Sequence, residues 1–198
     1  MKNLLLILSA LFLVFPAEIL KAQSRDSEES RFKFGAGIDI EITDINDNPV
    51  LSPANILLSF DLFNIMRIEP GFGFNLTNVD AVNHEITAVY KRQCYNLGLY
   101  WLITNRRVAP YLGMNYDYIR NFSDHEDEDS SFTTESYETR LGPVLGLEYR
   151  FADKFSISGE FSFLRTKKHE STLVNNEERN QSGDSWQSGN KIKFRFYF

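Results

Sequence analysis

From Arg31 to Phe198 the chain repeats with a period of two residues, in eight separate runs. Successive side chains of a β-strand point to opposite faces, so this alternation predicts strands, each with one apolar and one polar face. In the first run Phe32, Phe34, Ala36, Ile38, Ile40 and Ile42 oppose Lys33, Gly35, Gly37, Asp39 and Glu41. In the next two, Ile56, Leu58, Phe60 and Leu62 oppose Ser59 and Asp61, and Met66 to Leu76 oppose Arg67, Glu69, Gly71, Gly73 and Asn75. Then Tyr95, Leu97, Leu99 and Trp101 oppose Cys94, Asn96 and Gly98, and Pro110 to Tyr118 oppose Gly113, Asn115 and Asp117. Leu141 to Phe151 oppose Arg140, Gly142, Gly146, Glu148 and Arg150, and Phe155 to Phe163 oppose Ser156, Ser158, Glu160 and Ser162. In the last run Ile192, Phe194, Phe196 and Phe198 oppose Lys193, Arg195 and Tyr197.

Across these runs the apolar face carries no charge. The opposite face carries Lys33, Asp39, Glu41, Asp61, Arg67, Glu69, Asp117, Arg140, Glu148, Arg150, Glu160, Lys193 and Arg195, six positive and seven negative. The connections alternate in length. Short links at Asn64-Ile65, Thr104–Arg107 and Ala152–Lys154 are interleaved with longer ones at Thr43–Ala54, Asn78–Glu85, Asn121–Thr134 and Lys167–Gln187. This is the asymmetry of an outer-membrane barrel, with short periplasmic turns and long outside loops.

Two closed barrels fit such a chain: a soluble lipocalin-like barrel with its apolar face inward, or a membrane barrel with that face toward lipid. Glycine points to the second. Eight of the 11 glycines lie on the charged face, and a narrow interior needs small residues between large ones, which a water-facing surface does not. The near balance of charge points the same way, because buried charges must be paired. The expectation is therefore an all-β, eight-stranded antiparallel transmembrane up-and-down β-barrel, its polar interior filled with side chains. A mean hydropathy of −0.31 argues against a bundle of membrane helices but is compatible with alternating strands.

The first 22 residues read as an export signal, with Lys2 ahead of an apolar stretch from Leu4 to Phe15 that is too short to span a bilayer. Cleavage is expected between Ala22 and Gln23. Residues 23–30 then form a short leader to a single barrel domain over 31–198. A net charge of −6 lacks the electrostatic footprint of nucleic-acid binding. One cysteine, Cys94, allows neither an internal disulfide nor a Cys-based metal site, and reads as a packed thiol.

The export signal, the eight alternating strands and the aromatic end Lys191-Ile-Lys-Phe-Arg-Phe-Tyr-Phe198 resemble the small bacterial outer-membrane barrels of the OmpX and OmpA membrane-domain type. The run Pro110-Tyr-Leu-Gly-Met is similar to the porin-like outer-membrane β-barrel domain common in Bacteroidetes. The resemblance implies a bacterial outer-membrane location and contact with outer-membrane lipid and lipopolysaccharide. It also implies insertion by the barrel-assembly machinery, whose carboxy-terminal signal Phe194, Phe196 and Phe198 would form. A monomer is expected.

Few residues offer chemistry. Asp124-His-Glu-Asp-Glu-Asp129 concentrates acids that suit divalent cations, yet it lacks the spacing and turn glycine of a calcium loop, and reads as a solvated acidic loop. His84, His125 and His169 fall in or beside the outside links. His169-Glu170-Ser171 has the His-x-Ser spacing of outer-membrane lipid A deacylases, without that family's flanking residues. No catalytic, metal or cofactor site is expected. The function expected is a non-enzymatic structural or surface-interaction platform with acidic and polar outside loops. The alternatives are a narrow porin-like channel, a lipid-modifying enzyme using His169 and Ser171, and a soluble binding barrel.

Overall fold

The computed structural model describes residues 32–45, 48–51, 55–81, 86–104, 107–127, 130–152, 154–174 and 177–198. Nine strands follow one another: β1 (Phe32–Ile45), β2 (Asn48–Leu51), β3 (Asn55–Leu62), β4 (Met66–Ala81), β5 (Ile86–Leu102), β6 (Val108–Asp127), β7 (Ser130–Ala152), β8 (Phe155–Val174) and β9 (Glu177–Tyr197). Every pairing is antiparallel. β2 and β3 both pair with β1, one with its end at Ile42–Ile45 and the other from Phe32 to Asp39, so together they fill one place in the sheet. The first strand also pairs with the last, from Gly35↔Tyr197 to Ile42↔Asn190. The sheet therefore closes on itself as an eight-place up-and-down barrel with no edge at membrane level.

The apolar face points out. Leu145 and Phe161 are cross-strand partners and stand 63% and 50% exposed. Ile56, Phe72, Leu97, Leu147 and Phe194 are exposed on the same face, whereas Arg67, Glu69, Glu148, Lys193 and Arg195 are buried inside. A soluble barrel would invert this arrangement, so the exposed band is the lipid-facing surface. Apolar side chains of the inward parity, among them Leu57, Leu102, Ile119, Val144 and Leu164, are buried as well, and Leu102 and Val144 cluster with Tyr100 and Tyr111. Aromatic pairs mark both ends of the band: Phe151 on Phe155 at 6.0 Å toward the short turns, and Phe163 stacked on Trp186 at 5.0 Å toward the other end.

Glycine makes the interior fit. Three inward tyrosines each lie over a glycine that is their register partner: Tyr100 over Gly113, Tyr111 over Gly146 and Tyr197 over Gly35. A methyl at Gly35 would stand 2.9 Å from the Tyr197 ring. At Gly37 it would collide with the backbone carbonyl oxygen of Phe194 in the seam that closes the barrel. Gly37→Ala should therefore lower stability by about 1–3 kcal/mol, the usual cost of overpacking. Gly159→Ala, at a site with nothing within 4 Å, should change little. Urea unfolding in lipid vesicles measures both, and equal midpoints would refute the seam argument.

The tight link between β3 and β4 is a type I′ turn. Phe63 and Asn64 have φ of 55° and 57°, and Ile65 N–H donates to Leu62 O at 3.1 Å. Its hand matches the twist of the flanking strands, which explains why a β-turn with a bulky residue at positive φ is retained.

The longer links differ from expectation. The described residues of the segments read as loops at Thr43–Ala54, Asn78–Glu85, Asn121–Thr134 and Lys167–Gln187 lie in strands. The β6–β7 ladder continues to Asp127↔Ser130 and the β8–β9 ladder to Val174↔Glu177. Above the last β1 pair at Asn190, β9 runs on from Gly189 to Glu177, roughly 40 Å at the usual strand rise. The reason is physical. Beyond the lipid both faces of a ribbon meet water, so the ladder persists while the hydropathic alternation that signals a strand is lost.

Candidate functional site

The densest chemistry lies in the barrel interior, where the closed sheet turns the charged face of every strand onto one axis. Nearest the short turns, Arg67 donates to Asp61 from Nε and from Nη2, the latter at 2.9 Å, and to Glu148 and the Tyr197 hydroxyl (2.7 Å). Arg150 Nε donates to Glu148 at 2.8 Å, and Tyr197 donates to the same carboxylate at 3.2 Å. Lys33, half-buried, is the register partner of Asp61.

A second tier sits above it. Glu69 accepts from Ser59 at 2.7 Å, from Lys193 at 2.9 Å and from both Nε and Nη2 of Arg195. Lys193 also reaches Glu160 at 2.7 Å and the Tyr100 hydroxyl at 2.7 Å. Tyr111 donates to Glu160, and Arg195 donates to Ser158, each at 2.7 Å. Arg67, Arg150, Lys193 and Arg195 are thus locked in direct contact with Asp61, Glu69, Glu148 and Glu160, which is how buried ions are tolerated.

Higher still, Asp39 accepts from Asn55 at 2.6 Å and Asp117 from Asn115 at 2.9 Å, with Lys191 Nζ between them at 3.9 and 3.6 Å. At the top Arg140 bridges Glu138 at 2.6 Å and Glu41 at 3.0 Å, and Arg92 stands 3.8 Å from Glu41. The thirteen expected interior charges thus fall into successive tiers. Lys191, Glu138, Arg92, Tyr100 and Tyr111 complete the tiers and were not among them. Extending the parity of Lys193 and Arg195 back by two residues finds Lys191. The two tyrosines carry the same inward parity, Tyr100 between Leu99 and Trp101 and Tyr111 between Pro110 and Leu112, but no charge marks them.

The other candidates are scattered. Cys94 is buried on the inward face. Asp124 is exposed and accepts from Thr133 at 2.9 Å; residues 128–129 of the acidic run lie outside the described residues. His125 belongs to β6, where its register partner is Phe132. His84, Ala22 and Gln23 lie outside the described residues. His169 and Ser171 share the outward face of β8, but the Ser171 hydroxyl donates to Glu178 at 3.1 Å. Phe194, Phe196 and Phe198 line the outward face of the closing strand. Phe196 packs on Phe155 at 4.8 Å and on Phe198 at 5.0 Å, and Phe198 N–H donates to Phe34 O at 2.9 Å.

Outside the membrane band, Tyr137 and Arg120 both donate to Glu135 and hold its carboxyl below the usual range. The Arg165 guanidinium does the same to Asp184.

Among solved structures, the chain is similar to a major outer-membrane protein of Thermus thermophilus, at 11% identity and TM-score 0.54 over 85% of this chain and 100% of that one. It also matches Ail, the attachment invasion locus protein of Yersinia pestis, at 12% identity and TM-score 0.46 over 84% and 96%. Neisserial surface protein A matches at 14% identity and TM-score 0.44 over 85% and 98%. At such identities the first of these speaks for the fold alone, and the other two carry no further argument. No curated protein matches. The model of the outer membrane protein beta-barrel domain matches residues 7–194. With that match spanning nearly the whole chain, and with a lipid-facing apolar band around a closed ring of strands, the protein belongs to the outer-membrane β-barrel domain family and resides in the bacterial outer membrane.

Proposed function

We propose that this barrel is a non-enzymatic, non-conducting anchor that serves as a surface-interaction platform, holding polar β-ribbons above the outer membrane. The observation that carries this reading is the pair of interior tiers around Arg67 and Glu69. Their side chains span the lumen in direct contact, from Asp61 and Ser59 on β3 to Glu148 on β7 and Glu160 on β8. An eight-place barrel has just enough width for side chains, and ions held by three or four short hydrogen bonds do not step aside for a permeant ion without losing them.

Purified protein in a planar bilayer should therefore give no discrete conductance steps. Reproducible steps that vanish on heat denaturation would overturn the proposal in favour of a narrow channel. The Ser171 hydroxyl donates to Glu178 at 3.1 Å, so its proton is not directed at His169, the base that the lipid-modifying reading requires, and this supports a non-enzymatic role. His169→Ala should leave the lipid A mass spectrum of expressing cells unchanged. The reading also takes the barrel as a monomer, exported by residues 1–22 and delivered to the assembly machinery by Phe194, Phe196 and Phe198. Amino-terminal sequencing of the membrane-inserted protein should begin at Gln23.

A further inference from the structure

The third interior tier, around Lys191, is built differently from the two nearer the short turns. In those, Lys193 reaches Glu69 and Glu160 at 2.9 and 2.7 Å, and every cation is hydrogen-bonded to a carboxylate. In the third, Asp39 and Asp117 share one cation, and Lys191 Nζ stands 3.9 and 3.6 Å from them, beyond hydrogen-bonding reach. The tier above does not make up the difference, because its Arg140 and Arg92 face Glu41 and Glu138. Among the described residues, the upper interior thus sets four carboxylates against three cations. The missing charge falls where Asp39 and Asp117 are fully buried, and there an uncompensated ion is costly.

Two carboxamides complete the picture. Asn115 Nδ2 donates to Asp117 at 2.9 Å and Asn96 Nδ2 to Asp39 at 3.4 Å, so both side chains head into the space around the two carboxylates. Asn115 and Asn96 are only 2% and 9% exposed, and the Oδ1 of each has no hydrogen-bond donor. Buried amide oxygens are ordinarily satisfied, and two left over at one level call for a positive partner. Glycine makes room for them. The Asn96 carboxamide lies over Gly71 and that of Asn55, which also holds Asp39, lies over Gly73; a Cβ on either glycine would collide with the amide oxygen.

We infer that this tier binds a sodium ion, with Asp39, Asp117 and the amide oxygen of Asn115 as its ligands. The Asn96 oxygen joins them by a half-turn of its carboxamide, for which bare Gly71 leaves room. Donors that are all oxygen select a hard cation. A single positive charge brings the upper interior to balance, whereas a divalent ion beside Lys191 would overshoot it. The ion enters from outside the cell. Arg140 and Arg92, at the top, are 16% and 31% exposed, while the tiers around Glu69 and Arg67 close the way below.

The test unfolds the full chain with urea in phosphatidylcholine vesicles, in sodium chloride and in choline chloride of equal ionic strength and pH. Sodium should raise the midpoint. Once the site is filled, each further tenfold rise in sodium, exchanged against choline, should shift the folding equilibrium about tenfold. D117N should abolish this dependence whatever its own stability. N115A leaves every charge in place and removes one ligand oxygen, so it should move the onset to about tenfold higher sodium. D184N, on the ribbon outside the lipid band, should keep the dependence unchanged. Equal midpoints for the unaltered chain in the two salts would overturn the inference. So would a sodium effect that persists in both D117N and N115A, which would place the ion elsewhere on the barrel or in the lipid. A rise of the same size with micromolar calcium in choline chloride would overturn it in favour of a divalent site.

Discussion

Glu69→Leu should destabilise the folded barrel by about 3–5 kcal/mol, the usual cost of stripping a partner from buried charges. Glu69 receives Lys193, Arg195 and Ser59 at once. Its loss leaves Lys193 with Glu160 at 2.7 Å, and leaves Arg195 with Ser158 and with carboxylates no closer than 3.7 Å. Urea titration in lipid vesicles, followed by loss of heat-modifiable gel mobility, reads the change. The double variant Glu69→Leu with Lys193→Met removes a charge of each sign. It should be more stable than the sum of the single variants predicts, because the two side chains act as one unit. A loss below about 1 kcal/mol for Glu69→Leu would mean that water or neighbouring groups replace the lost contacts, and that the tiers do not hold the lumen shut.

The second large effect belongs to the lipid face. Leu145→Arg should cost about 2–4 kcal/mol, because an outward cation near the bilayer midplane cannot reach water. Thr139→Arg, on the same face of the same strand but beyond the apolar band, should cost no more than about 1 kcal/mol, since there the charge reaches the headgroups. The contrast between the two separates membrane depth from a general intolerance of arginine. Equal effects in a bilayer would sink the assignment of the exposed band to lipid.

How much of this was legible in the residues depends on where they sit. Phe161 and Glu160 are neighbours in sequence and meet opposite surroundings, and the period of two reports that at once. The interior charges could be named from parity alone, and so could the inward glycines. The position of the outer strand ends could not: Ser182 and Asn180 pair with His169 and Ser171 in a regular ladder, yet no alternation marks a ribbon wetted on both faces. The Tyr100 and Tyr111 hydroxyls share the inward parity, but an uncharged aromatic does not announce the polar partner it will meet.

By itself, the sequence determined the eight places of the ring, the two faces and the choice of membrane over water, because one-sided burial imposes a two-residue period that composition alone cannot imitate. Only the tertiary structure decided which ions meet. Arg67 finds Glu148 and Glu69 finds Arg195 because ring closure between β1 and β9 sets the stagger of all the strands. That stagger depends on the cumulative register of every ladder around the barrel, which no single strand encodes.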